Sequence, residues 1–210
     1  MSMKKIAIIL FDGVEVLDFA GPFEVFSVTG RRETGQPFEV FTVAENEFVF
    51  ARNQLKIIPT YTLDNCPAVD IFLVPGGGGY DADGKPFGSR KEMDNPVLLN
   101  WIKQRTSSVD FILSVCTGAL ILAKAGLLKD LSATTHFMAV ETLRKIAPDT
   151  KVFSEVRFVD NGKIILSAGV SAGIDMALYM VEKLSGKEAA VETAKYMQYD
   201  YYDMIDDLDK

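Results

Sequence analysis

Cys116, in the run Ser114-Val115-Cys116-Thr117-Gly118, follows an apolar stretch and precedes the small residues of a helix start; together they form Val109–Leu122. A thiol delivered at such a strand-to-helix turn stands above the carboxyl edge of a sheet. The backbone N–H groups that follow it point toward any charge forming beside it, which is the placement of a nucleophile. Thr117, Gly118 and Ala119 keep the turn uncrowded, and a helix start predicts a thiol whose ionised form is favoured. The plainer reading of a cysteine in apolar sequence is a small buried hydrophobe, and Cys66, directly before Pro67, is read that way.

A thiol needs a proton partner. Asp18 lies in Val16-Leu17-Asp18-Phe19-Ala20, apolar surroundings in which a carboxylate without a task would be costly. Held there, its affinity for a proton rises, and it could exchange one with the sulfur or a substrate. Glu15, three residues earlier, is helix-start charge that sits next to the same site. His136, after Ala133-Thr134-Thr135, is the single imidazole in the chain. Any cysteine–histidine mechanism must use it, and a structural role stands beside that one. The run Gly76–Gly79 follows a third apolar strand, and amides of Gly77 or Gly78 with that of Thr117 could form an oxyanion hole. The first turn, Asp12-Gly13-Val14-Glu15, carries no GxGxxG and no Walker lysine follows the glycines, so nucleotide binding is not expected. Arg52 and Arg157 are candidates for meeting an anionic substrate or for ordinary ion pairs.

The elements that must position these groups alternate. Lys4–Leu10 reads as a strand, Glu15–Thr29 as a helix, Phe38–Ala44 as a strand, and Val49–Ala51 with Leu55–Ile58 as a short hairpin. Val69–Val74 is a third buried strand, residues 80–93 are a polar loop shaping or covering the pocket, and Asp94-Asn95-Pro96 starts a helix over Val97–Arg105. After the cysteine turn come a short extended piece at Leu131–Thr135, a helix over Met138–Ile146, and Val152–Val159 paired through Asp160-Asn161-Gly162 with Lys163–Ser167. Ser171-Ala172-Gly173 opens a helix over Ile174–Leu184, and a last helix runs to Gln198. Phe19, Phe23 and Phe26 on the first helix face the core or a dimer surface, the core being preferred.

This order predicts an α/β layer sandwich with a mostly parallel sheet. The 210 residues, 48% apolar and 24% charged, fit one domain, 1–210, with an acidic, tyrosine-rich tail over about 200–210. A net charge of -7 gives no support for phosphate-backbone binding and argues mildly against an anionic membrane surface. The N-terminal apolar run stops at Asp12-Gly13 without a cleavage site, so a cytoplasmic protein is expected. With two distant cysteines and one histidine, a Cys/His zinc site is not expected.

Several separated stretches, LFDGVEVLDFAGPFEVF, DIFLVPGGGG, ILSVCTGALILAKAGLL, ATTHF and VRFVDNGKIILSAGVSAGIDMAL, together resemble the DJ-1/ThiJ/PfpI superfamily over nearly the whole chain. The resemblance implies a flavodoxin-like three-layer sandwich, a cysteine nucleophile elbow and a homodimer. The Asp18–Pro22 DxxGP piece, the Cys116-Thr117 pair and Ser-Ala-Gly-Ile-Asp are most similar to the isonitrile hydratase branch and to related domains of certain transcription regulators. By motif position, Asp18 is then the acidic partner of Cys116, Thr117 a substrate-orienting residue, and Gly77 with Thr117 the oxyanion amides. Thr117 stands where the peptidase-like branch has histidine, which argues against proteolysis. The expected reaction is hydration of an isonitrile to an N-substituted formamide, with a small-molecule substrate and no cofactor, metal, nucleic acid or membrane. Two alternatives stay open: another cysteine-dependent hydrolase or amidase on a small carbonyl substrate, and a non-enzymatic redox or ligand-sensing dimer.

Overall fold

Strand-forming, β-branched runs alternate with helices along the chain, and in the computed structural model, which describes residues 3–30 and 36–200, each run takes its place in layers. The first half contains β1 (Lys4–Leu10), α1 (Val16–Val28), β2 (Phe38–Ala44), β3 (Val49–Phe50), β4 (Lys56–Ile57), β5 (Tyr61–Thr62) and β6 (Ile71–Val74). Next come β7 (Gly78–Tyr80), β8 (Pro86–Gly88), α2 (Ser89–Glu92), α3 (Pro96–Arg105), β9 (Phe111–Val115) and α4 (Gly118–Lys124). The chain continues through β10 (Ser132–Ala133), α5 (Val140–Ile146), β11 (Lys151–Val152), β12 (Phe158–Asp160), β13 (Ile164–Ser167), α6 (Ala172–Ser185) and α7 (Lys187–Tyr196).

Seven strands form the central sheet in the order β12-β13-β9-β6-β1-β2-β5. All neighbours are parallel except β12, which runs against β13. Ile6–Leu10 of β1, Ile71–Val74 of β6 and Ile112–Val115 of β9 are buried throughout, as strands covered on both faces must be. Helices α1, α6 and α7 pack on one another, and α4 packs on α5 and α2. Gly21 allows the first contact, because a Cβ there would lie 2.8 Å from Ile174 Cγ1. Phe26 is fully buried against Phe38, while Phe19 and Phe23 lie half-buried on the same core. The chain leaves β1 toward β2 and returns to β6 on the other side of β1. The carboxyl ends of β1 and β6 therefore flank a switch in strand order, the usual place for a binding crevice.

Most expected boundaries agree within two residues, including Asn95, whose side chain accepts from Val97 and Leu98 N–H to start α3. Three expectations are corrected. Residues 80–93 are not a plain loop: β7 and β8 form an antiparallel hairpin that runs into α2. The glycines and Pro86 that signal a turn here serve as strand ends. The stretch Val152–Val159 divides, β11 pairing with β10 in a separate two-stranded sheet and only β12 joining β13. The helix expected from Met138 begins at Val140, after a tight turn over Phe137–Ala139. The acidic tail beyond residue 200 lies outside the described residues.

Candidate active site

Cys116 terminates β9 with φ +56°, a left-handed conformation that turns the chain sharply into α4. Both sides of its peptide are anchored. Its N–H donates to Ser167 O at 3.2 Å and Ala168 O at 2.9 Å, and its C=O accepts from Thr135 Oγ1 at 2.8 Å. The residue is 5% exposed.

Asp18, in the first turn of α1 and 0% exposed, faces the same point. Gly76 N–H donates to its Oδ2 at 3.0 Å, and among the described residues its Oδ1 has no hydrogen-bond partner in ordinary range. The thiol of Cys116 couples to this carboxyl. Burial, offset in part by that thiol and by the Gly76 N–H, pushes the Asp18 carboxyl up to about 7. Burial and the neighbouring Asp18 charge push the Cys116 thiol up to about 12, against the smaller opposing effects of the Thr117 and Val170 backbone N–H groups. The expectation of a thiol ionised by its helix start is thus overturned. Helix α4 has only seven residues, and desolvation outweighs its N-terminus. Burial and the Asp18 charge therefore favour the protonated thiol.

The glycine loop lies against this pair. A Cβ on Gly76 would sit 2.4 Å from Thr117 N and 2.9 Å from Asp18 Oδ2, so only glycine lets the loop pass between them. Gly77 does not present a free amide as expected: its N–H donates to Thr117 Oγ1 at 3.0 Å. Ser89 Oγ, fully buried, contacts Thr117 Oγ1 and Gly77 O, each at 2.7 Å. Gly78 is engaged in the β7–β8 pairing opposite Gly88. The backbone donors lying against the sulfur are Thr117 and Val170.

His136 reaches the neighbourhood without touching the proton pair. Its ring packs on Gly169, where a Cβ would lie 2.4 Å from Cδ2, and its Nδ1 accepts from Met138 N–H at 3.3 Å. Burial and the Arg90 charge lower its proton affinity. Glu15 pairs with Arg52 at 3.4 Å, and its charge helps raise Asp18. Arg157 is bound to Asp175, which is 2% exposed, with Tyr199 Oη donating to the same carboxylate at 2.8 Å. Of the two roles open to Arg52 and Arg157, both therefore take the ordinary ion pair. A cavity of about 390 Å3 lined by Leu10, Glu45, Glu92 and Asn95 opens nearby, but neither Cys116 nor Asp18 lines it.

Sequence reasoning missed Ser89, Arg90 and Val170. The first two lie in the stretch taken for a loop. Val170 was signalled by its place: Ser167–Ala172 is a second small-residue strand-to-helix turn on the strand beside β9. Its φ of +48° is strained for a β-branched residue, the kind of backbone cost that persists where surroundings over-determine it.

Among known proteins, this chain is 31% identical over 194 residues to isonitrile hydratase of Pseudomonas putida, covering 92% of this chain and 76% of that one. A crystal structure of a ThiJ/PfpI family protein from Pseudomonas syringae superposes with a TM-score of 0.82 at 30% identity, over 95% of this chain and 76% of that one. Drosophila melanogaster DJ-1beta shares the fold, with a TM-score of 0.77 at 23% identity over 95% of this chain and 100% of its own. The DJ-1/PfpI family model matches residues 4–183, and the chain therefore belongs to the DJ-1/PfpI family.

Proposed function

We propose that this protein hydrates a small isonitrile to the corresponding N-substituted formamide, with Cys116 as nucleophile and Asp18 as its acid and base. The observation that carries the reading is the buried, coupled Asp18–Cys116 pair at the turn after β9. Family membership supports a lyase or hydrolase acting on small molecules, and the similarity to isonitrile hydratase supports that branch.

In the proposed reaction Asp18 takes the thiol proton as sulfur attacks the terminal isonitrile carbon. The same proton is then delivered to that carbon, giving a thioimidate, R–N=CH–S–Cys116. Asp18, again a carboxylate, removes a proton from water as the water oxygen adds to the carbon. Asp18 passes that proton to the nitrogen; the C–S bond then breaks as the added hydroxyl becomes the carbonyl, and the hydroxyl proton returns through Asp18 to sulfur, releasing R–NH–CHO. Atoms balance with one water consumed. Thr117 N–H and Val170 N–H, against the sulfur, support the negative charge that passes through it. A carboxyl ionising near 7 is matched to such two-way transfer at neutral pH.

The test is product analysis with a small isonitrile. Wild type yields formamide, and Cys116→Ala and Asp18→Ala do not. Formamide formation that survives either substitution would overturn the mechanism, and turnover of amides with none of isonitriles would move the chain to the hydrolase reading. The exposed apolar side chains Phe48, Phe50, Leu55 and Ile58 around β3 and β4 support assembly as a homodimer, which sedimentation measures. Among the described residues, no helix is long and apolar enough to cross a membrane.

A further inference from the structure

Arg90 is half-buried beside the cysteine turn. Its Nη1 donates to Ser89 Oγ at 3.2 Å, and Ser89 Oγ is 2.7 Å from Thr117 Oγ1, so one hydroxyl separates the guanidinium from the residue that follows Cys116. Its charge also acts on His136, whose proton affinity it lowers, so the guanidinium lies within electrostatic reach of that ring. Among the described residues it forms no ion pair, whereas Arg52 is held by Glu15 and Arg157 by Asp175. A guanidinium withdrawn from water without a carboxylate is costly, and burial accordingly lowers its proton affinity. Its planar fork suits a carboxylate, which it can hold through two parallel N–H donors.

We propose that Arg90 is the specificity-determining residue of this site and selects substrates that carry a carboxylate within a few bonds of the carbon Cys116 attacks. The proposal rests on the reading of Cys116 as the attacking group and adds to it the chemical class of the substrate. The route of contacts from the guanidinium to Thr117, 3.2 Å and then 2.7 Å, sets the scale. With one hydroxyl between the guanidinium and the residue after Cys116, the selected carboxylate is joined to the reacting carbon by a short spacer. Cys116 takes the reacting carbon and Asp18 the proton, so Arg90 is free to hold the far end.

Two measurements decide it, each on wild type, Arg90→Met and Arg90→Lys. The first compares kcat/KM for isocyanoacetate and for its neutral methyl ester. The acid-to-ester ratio falls about tenfold or more in Arg90→Met, the loss expected for removing one charge-assisted contact, and recovers in part in Arg90→Lys. The second needs no turnover: alkylation of Cys116 by iodoacetate and by neutral iodoacetamide, followed by peptide mass so that Cys66 is not counted. The iodoacetate-to-iodoacetamide rate ratio falls about fivefold or more in Arg90→Met. Equal loss for charged and neutral partners in both measurements would show that Arg90 serves the sulfur or the fold and would overturn the proposal. If wild type turns over neither isonitrile but the alkylation ratio still depends on Arg90, the isonitrile reading fails and the carboxylate selection stands. Melting temperatures of the variants identify any loss caused by unfolding.

Discussion

Replacing Asp18 with Asn removes the most heavily penalised charge near the site, and its effect on stability has a sign that depends on pH. The folded state raises this carboxyl from 3.8 to about 7, chiefly by burial. Between those values the native protein binds a proton that the unfolded chain has released, so stability falls as pH rises. The penalty is absent below about pH 4 and complete above about pH 7. At roughly 1.4 kcal/mol for each tenfold change in proton affinity, a shift of about three decades gives about 4 kcal/mol. Asn keeps an oxygen for the Gly76 N–H bond at 3.0 Å and carries no charge. Relative to Asp18→Asn, wild type should therefore lose about 4 kcal/mol between about pH 4 and about pH 8. Cys116 does not blur the result, since its thiol is pushed up to about 12 and stays protonated over that range. Urea unfolding of both proteins at a series of pH values measures the difference directly. A stability difference that stays constant with pH would refute the claim that Asp18 is held partly protonated, and with it the two-way proton transfer.

Further outcomes follow from the same geometry. The pH dependence of kcat/KM should rise with its midpoint near 7, where Asp18 ionises, and Asp18→Asn should abolish both the rise and the turnover. Ser89→Ala removes a fully buried hydroxyl with two contacts at 2.7 Å and should cost about 1–3 kcal/mol in chemical unfolding. Gly76→Ala places a Cβ 2.4 Å from Thr117 N, which backbone movement must relieve; thiol alkylation should accelerate as the Asp18–Cys116 contact opens, and an unchanged rate would contradict the packing described. Arg157→Met leaves Asp175 buried without its cation and should cost about 3–5 kcal/mol by the same unfolding assay.

What could be read from sequence divides along a physical line. Periodicity and turn chemistry locate β1, β2, α1, the cysteine turn and the Asn95 helix start because these depend on neighbours in the chain. Asp18 is legible as a candidate for function because its own segment is apolar. The protonation state of Cys116 is not legible. A helix start argues for thiolate, but burial and a carboxyl nearly a hundred residues away in sequence decide otherwise. The Gly77 amide fails as an oxyanion donor for a similar reason, since the Thr117 hydroxyl that occupies it arrives only with the fold. Arg90 and Ser89 stayed hidden in a segment whose Gly, Asp and Pro content reads as loop, although its ends pair as strands.

The buried contacts among Ser89, Thr117 and Gly77 also bear on how such a protein can diversify. They join the start of α2, directly after the β7–β8 hairpin, to the glycine loop and the cysteine turn through one hydroxyl pair, so the three cannot drift apart in sequence independently. A substitution in the hairpin that alters what Arg90 meets also loads the residue next to the sulfur. New substrate preferences should then arise through paired changes on both sides of that hydroxyl contact, and hairpins exchanged between relatives should carry their partner at position 117 with them.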